Sequence, residues 1–161
     1  MESFDSSGLR PGVGVAVALV RNGALLLGRR IGGHGDGLWQ TPGGKIDPGE
    51  TPVEAAVRET YEETGLAIPD PFEVARQFDD FPEIGMRYET IFFAAGAALG
   101  EPENAEPEKC VGWEWVPLDE LPADRFAIDE ATIDAIRAYA VAHVRGEHAV
   151  PHAADGELPL A

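Results

Sequence analysis

Glu59, Glu62 and Glu63 stand at i, i+3 and i+4, the spacing at which helical side chains share one face within a few ångströms of each other. Left unneutralised they would repel, so the arrangement suits hard divalent cations. Magnesium prefers oxygen ligands in octahedral geometry, keeps several waters and commonly bridges carboxylates to substrate phosphates. Upstream, Gly49-Glu50 returns another carboxylate toward the helix, where Arg58 could orient it, and Pro42-Gly43-Gly44 permits a tight backbone turn. A bare E-x-x-E-E pattern is equally the mark of a solvated acidic helix face; the neighbouring residues turn the reading toward phosphate chemistry.

The element that must present these carboxylates carries complete helix signals. Thr51 is an N-cap, Pro52 fits the first helical position, Glu54 closes a capping box and Gly65 is a stop. These predict a helix over 52–64, with Val53, Ala56, Val57, Thr60 and Thr64 packed on a sheet. That sheet begins at 11–20, where Val13, Val15, Val17 and Leu19 alternate with Gly14, Ala16 and Ala18; the small residues imply close packing or binding on the second face. Arg21-Asn22-Gly23 signals a hairpin turn into a strand at 24–27. The glycine-rich stretch 31–37 reads as a mobile loop, followed by a short strand at 38–41. Further strands are expected at 72–78, 88–95 and 111–116, with a Pro- and Glu-rich loop over 100–109. A second helix is expected from about Asp129 to Val144, its stripe formed by Ile133, Ile136, Ala140 and Val144 and its stop at Gly146. Without an internal repeat or interdomain linker, the chain divides into a flexible N-terminus at 1–9, a single domain at 10–146 and a disordered tail at 147–161.

Composition narrows the class. A chain of 161 residues with 44% hydrophobic content can bury about two thirds of its unfolded surface in one core. With 29 acidic against 12 basic residues, a formal charge of -17 opposes binding to a nucleic-acid backbone, so polymeric nucleic acid is not an expected partner. No run approaches the roughly 20 apolar residues of a membrane span, and the N-terminus lacks the basic and apolar regions of a secretory signal. A cytoplasmic protein without membrane contact is expected. One cysteine, Cys110, excludes an intrachain disulfide and a cysteine-based zinc site and is read as inert and partly buried. His34, His143, His148 and His152 are scattered and form no metal-spaced cluster.

The stretch GKIDPGETPVEAAVRETYEETGL resembles the Nudix box. Gly44, Glu50, Arg58, Glu59, Glu62, Glu63, Gly65 and Leu66 match at the required spacing, and Thr60 departs from it by replacing an aliphatic residue. Around the box, RPGVGV at 10–15, WQTPGG at 39–44, NAEPEKC at 104–110 and Trp113-Glu114-Trp115 resemble the MutT-like nucleoside-triphosphate pyrophosphatase branch, so the likeness covers roughly 10–140. The resemblance implies an α/β fold, a Nudix α/β/α sandwich with a mixed β-sheet between helices. It also implies hydrolysis of a nucleoside triphosphate, with a canonical or modified base, to its monophosphate and pyrophosphate. By the same resemblance, Glu59, Glu62 and Glu63 would coordinate Mg2+ or Mn2+ together with a backbone carbonyl of Gly43 or Gly44, and Glu50 and Arg58 would belong to the catalytic set. A more distant carboxylate is expected in the Glu106 to Glu108 loop, whose residues equally suit a solvated loop. Bound metal would lower the pKa of a water, and a helix carboxylate, Glu63 among the candidates, would take the proton.

For the substrate, strand one and the glycine-rich loop are expected to border a base pocket, with Gln40 at its wall and Gly14 leaving room. Arg29 and Arg30, read as following a strand, could meet phosphate oxygens or serve as surface cations. Phe126 is a candidate for the rim. Trp113 and Trp115 share a strand face by period two and are read chiefly as core. The box alone leaves other diphosphates open: a nucleotide sugar, a dinucleotide polyphosphate or an isoprenyl diphosphate. A nucleotide-sensing module without turnover is a competing class, opposed by the intact carboxylates. Pairing into a homodimer through sheet edges or the second helix is common for enzymes of this size.

Overall fold

The computed structural model of this chain describes residues 6–96 and 100–145. Residues 1–5 of the expected flexible N-terminus, the helix stop Gly146 and the expected tail at 147–161 lie outside the described residues. Strand β1, Arg10–Arg21, turns through Asn22 and Gly23 into β2, Ala24–Arg30. Both turn residues have positive φ, 49° and 75°, as a two-residue hairpin between right-twisted strands requires. Short β3, Trp39–Gln40, and β4, Gly43–Lys45, precede helix α1, Pro52–Thr64. Strands β5, Phe72–Phe81, and β6, Met86–Ala95, flank a single 3-10 turn at Pro82–Ile84. Then come β7, Cys110–Pro117, and helix α2, Glu130–Arg145.

The strands order as β3-β2-β1-β6-β5, with β4 pairing to β1 and β7 to β2. Among the strand pairs of the described residues only β1–β6 is parallel, so the sheet is mixed. Period two divides β1 between two cores. Val15, Val17 and Leu19 meet Ile91, Phe93 and the Ala55-Ala56 face of α1, while Ala18 joins Val20, Leu25, Leu27, Phe92 and Ala94 against Ile133, Ile136 and Tyr139 of α2. A strand buried on both faces is the centre of an α/β/α sandwich, the expected fold class.

Helix α1 forms over the expected residues because its signals are local. The Thr51 hydroxyl accepts from the Glu54 amide at 3.1 Å, the Glu54 carboxylate accepts from the Thr51 amide at 2.9 Å, and Gly65 closes the helix at φ 73°. Thr60 is fully buried yet satisfied, its hydroxyl donating to the Ala56 carbonyl at 2.8 Å, which lets a polar residue occupy the aliphatic position. Thr64 does likewise to Thr60 at 2.6 Å.

Several expectations are corrected. Val53 is 44% exposed and Ala55 is buried in its stead; the packed stripe starts a turn later than the periodicity suggests. Val144 is 84% exposed, and Tyr139 packs with Ile133, Ile136 and Ala140, because the end of α2 runs past the sheet. The Gly43-Gly44 segment, expected as a turn, is a strand antiparallel to β1. Strand β2 extends through Arg29 and Arg30, so these arginines lie within a strand and project to opposite faces. Cys110 is buried, beyond the partial burial expected, and burial pushes its thiol pKa up, which keeps it unreactive. Among the described residues no helix is long and apolar enough to cross a membrane.

Candidate active site

Strand β4 is where two glycines leave room that a side chain would fill. A Cβ on Gly43 would collide with the Val15 carbonyl oxygen of β1, and one on Gly44 would fall 2.5 Å from the Glu59 carboxyl carbon. The absent side chains let α1 approach edge-on, and the Gly43 amide donates to Glu63 Oε2 at 3.1 Å. The far end of α1 is fixed from β7 and its preceding loop. The Trp113 indole N–H donates to the Glu63 carbonyl at 3.1 Å, and the Glu103 amide donates to the Thr64 carbonyl at 2.8 Å. Helix-terminal carbonyls that would otherwise lack partners are thereby satisfied.

Arg58 organises the acidic face. Its Nε and Nη2 donate to the two Glu50 oxygens at 2.7 and 2.9 Å, and Nη2 also donates to the Lys45 carbonyl at 3.0 Å. Nη1 donates to Glu59 at 3.0 Å and to Glu62 at 3.2 Å. Arg58 and the Asp47 amide hold the Glu50 carboxyl down at about 2, and Glu50 in turn raises the Arg58 pKa. Glu63 is pushed the other way, up to about 8, by burial first, with the Gly43 amide opposing and the Glu59 and Glu106 charges adding. Burial also raises Glu59, against the pull of Arg58.

The three helix glutamates share a face as expected but do not close into one cluster. Among the described residues no three His, Cys, Asp or Glu side chains are grouped to hold a metal ion. The cause is Arg58, the positive charge these groups meet: it draws Glu59 and Glu62 along the helix while Glu63 turns to Gly43. The residues nevertheless fit a divalent cation. Their donors are all hard oxygens, burial penalises negative charge on Glu59 and Glu63, and a side chain at Gly44 would fill the space beside Glu59. Of the loop carboxylates expected nearby, Glu106 is the one whose charge reaches both Glu59 and Glu63; it also pairs with Lys109 at 3.5 Å.

Also bordered by β4 is a pocket of about 310 Å³, lined by Gly14, Arg30, Gln40 and Phe126 together with Gly43 and Gly44. Arg30 braces it: Nη1 donates to Gln40 Oε1 at 2.6 Å and the guanidinium lies 4.1 Å above the Phe126 ring. Burial lowers the Arg30 pKa, and the Glu63 charge opposes that. Arg29 does not line this pocket. It faces outward, 4.7 Å over the Trp39 ring with Nη1 donating to the Gly37 carbonyl at 3.2 Å. Trp113 and Trp115 are half-buried against the α1-side core and lie outside the pocket lining. Sequence reasoning missed His34, Phe81 and Tyr88, which also line it. The last two flank the β5–β6 connection, and the only signal was a pair of aromatics around Pro82–Gly85.

Comparison with known proteins agrees with this architecture. The NUDIX domain family model matches residues 8–136. The RNA pyrophosphohydrolase of Bartonella bacilliformis is 31% identical, covering 76% of this chain and 86% of that protein. Its counterpart from Brucella anthropi is 36% identical, covering 70% and 78%. A 67-residue stretch is 48% identical to the RNA pyrophosphohydrolase of Tolumonas auensis but spans only 36% of it. Among solved structures, a MutT NUDIX hydrolase from Burkholderia pseudomallei superposes with a TM-score of 0.71 at 32% identity, covering 79% of this chain and 96% of that one. A UDP-X diphosphatase shares the fold at a TM-score of 0.64 and 22% identity, covering 83% of this chain and 64% of that one. Since the family model spans most of the chain, and the Bartonella and Brucella relatives, above 30% identity, align along most of their length, the chain belongs to the Nudix family and is a MutT-like Nudix hydrolase.

Proposed function

We propose that this Nudix hydrolase cleaves a nucleoside triphosphate between its α- and β-phosphates, releasing the monophosphate and pyrophosphate. Magnesium, with manganese as a substitute, would be held by Glu59, Glu62, Glu63 and a carbonyl of Gly43 or Gly44. One observation carries the reading: the residues of β4 that line the aromatic-walled pocket are the same ones that contact Glu59 and Glu63. A base seated in the pocket would therefore direct its phosphate chain over the carboxylates. The pocket volume of about 310 Å³ sits at the small end for ligand sites.

Divalent metal bound there would neutralise phosphate charge and lower the pKa of an attacking water. The chain's own groups do the rest. Glu50 fixes the Arg58 fork, and Arg58 holds Glu59 and Glu62 in reach of one another. Water oxygen forms the new bond to phosphorus, the bond to the departing pyrophosphate breaks, and a helix carboxylate takes the water proton. Glu63 is suited to that role because it is buried beside β4. Arg30, hydrogen-bonded to Gln40 and within reach of the Glu63 charge, would meet a phosphate oxygen.

A second reading has its own support: the relatives above 30% identity are named RNA pyrophosphohydrolases, so a triphosphorylated RNA 5′ end is an alternative substrate. The charge of -17 favours the free nucleotide, since a polyanion is repelled at every added phosphate. The setting proposed is cytoplasmic, and every residue named comes from one chain.

The test is a magnesium-dependent turnover panel: canonical, oxidised and methylated nucleoside triphosphates, a 5′-triphosphorylated oligoribonucleotide, nucleotide sugars, dinucleotide polyphosphates and isoprenyl diphosphates. Monophosphate and pyrophosphate from free nucleotides, at kcat/KM above that on the oligoribonucleotide, is the expected result. Preference for the RNA end or another diphosphate overturns the substrate assignment, and no turnover on any compound overturns catalysis in favour of nucleotide sensing.

A further inference from the structure

His34 sits in the glycine-rich loop between β2 and β3, and two distant segments hold its ring. It stands edge-on to Phe81 at the end of β5, centroids 4.5 Å apart at 77°, and edge-on to Phe126 at 5.2 Å and 78°. Phe81 and Phe126 themselves stack at 5.8 Å. The loop backbone is anchored as well: Arg30 Nε donates to the His34 carbonyl at 3.0 Å, and a Cβ on the next residue, Gly35, would strike the Phe126 ring at 2.5 Å. An imidazole with this much support has one orientation.

Its two nitrogens are not equivalent. Glu83, on the 3-10 turn between β5 and β6, brings Oε1 to 3.3 Å from Nδ1. A carboxylate can only accept, so this contact favours the proton on Nδ1 and leaves Nε2 as an acceptor. Nε2 is buried and has no hydrogen-bond partner, on a residue that lines the pocket. Buried polar atoms without partners are rare and costly, and one at a pocket wall fits a ligand donor. Across the pocket, Arg30 holds Gln40 Oε1, which leaves the Gln40 amide nitrogen as the donor it can offer.

We propose that His34 is a specificity-determining residue, its Nε2 accepting from an exocyclic amino group on the substrate's base. This deepens the nucleotide reading above and rests on it. The class selected is nucleobases with an amino group on the edge that enters the pocket. A site built around an acceptor rejects analogues lacking the donor, because its own buried atom is then left unmatched.

The experiment compares kcat/KM for adenosine triphosphate against purine riboside triphosphate, and for guanosine triphosphate against inosine triphosphate, in wild type, His34→Phe and His34→Gln. Phenylalanine keeps the edge-to-face packing and removes the acceptor; glutamine restores an acceptor. Wild type should favour the donor-bearing member of at least one pair by about tenfold, the worth of one neutral hydrogen bond. His34→Phe should bring that ratio within about twofold of unity by lowering only the donor-bearing partner, and His34→Gln should regain part of it. Calorimetric Kd values for the matching monophosphates without metal should follow the same order. A wild type that ignores both pairs overturns the proposal, as does a ratio that survives in folded His34→Phe or, should that variant fail to fold, one that His34→Gln does not shift. If no free nucleotide is hydrolysed at all, the nucleotide reading falls and this inference with it.

Discussion

Arg58 grips Glu50 with two parallel hydrogen bonds, 2.7 and 2.9 Å long, although the two residues belong to different segments, a helix and the loop before it. The planar fork that makes this grip also reaches Glu59 and Glu62, so one guanidinium sets the spacing of the acidic face. Lysine has the charge without the fork. Arg58→Lys is expected to lower kcat by about 10- to 100-fold while Tm changes little, since misplacement of supporting groups is felt mainly in the reaction step. Steady-state kinetics with a parallel melt would check it; a kcat within about twofold of wild type would remove Arg58 from the positioning role.

The same pair sets an acid limb. Glu50 titrates at about 2 in the folded chain against an ordinary 4.5, so the unfolded chain takes up its proton more readily and acid favours unfolding. The stabilisation is fully present above pH 4.5 and is lost as pH falls toward 2. Glu50→Gln has nothing to lose in that window. Its Tm deficit relative to wild type should be largest near neutral pH and shrink through this range, as melts across a pH series would show; a deficit that stays constant or grows in acid contradicts the assignment.

Magnesium should stabilise the folded chain, because burial disfavours charge on Glu59 and Glu63 and a dication offsets it. At a hundredfold excess over Kd the rise in Tm is expected to be about 5–10 °C. Glu63→Gln and Glu62→Gln should keep the fold and lower turnover by about two to three orders of magnitude. Glu63→Gln should also reduce the magnesium-dependent shift. Calorimetric melts with and without metal test this, and full activity in either variant would move the site elsewhere.

Gly43 and Gly44 differ in what a methyl group would strike. At Gly43 it meets the Val15 backbone; at Gly44 it meets the mobile end of a Glu59 side chain. Gly43→Ala should cost about 2–3 kcal/mol of stability, since backbone cannot yield. Gly44→Ala should cost less than about 1 kcal/mol yet lower kcat, because Glu59 must swing away. Denaturant unfolding beside kinetics separates the two, and equal losses in both would refute the geometry.

Legibility followed locality. Thr51, Pro52, Glu54 and Gly65 specify α1 within fifteen residues, and the helix begins and ends where they say. By contrast, Gly43–Lys45 carries no strand propensity of its own; pairing to β1 creates β4, and that is a long-range event. The carboxylate spacing was readable, but the diversion of Glu59 and Glu62 toward Arg58 depends on side-chain geometry that spacing does not encode. Arg29 and Arg30 looked alike as neighbours and separated only once β2 proved to run through both, leaving Arg30 in the pocket. His34 looked like an isolated histidine in a loop, since the rings of Phe81 and Phe126 that enclose it arrive from distant segments.

The parallel pairing of β1 with β6 joins residues 10–19 to residues 86–95, and this has a bearing on how the chain assembles. The elements that bear the carboxylates and their nearest supports, β1, β2, β4 and α1, lie within 10–64, while the far end of α1 is anchored by Trp113 of β7, which pairs with β2. The pocket wall bearing Phe81 and Tyr88 forms only when β6 docks on β1, and closing either long connection costs loop entropy. The surface for anhydride chemistry and the surface that recognises its substrate are thus both completed by distant strands, β7 and β6, so neither is finished before the sheet closes.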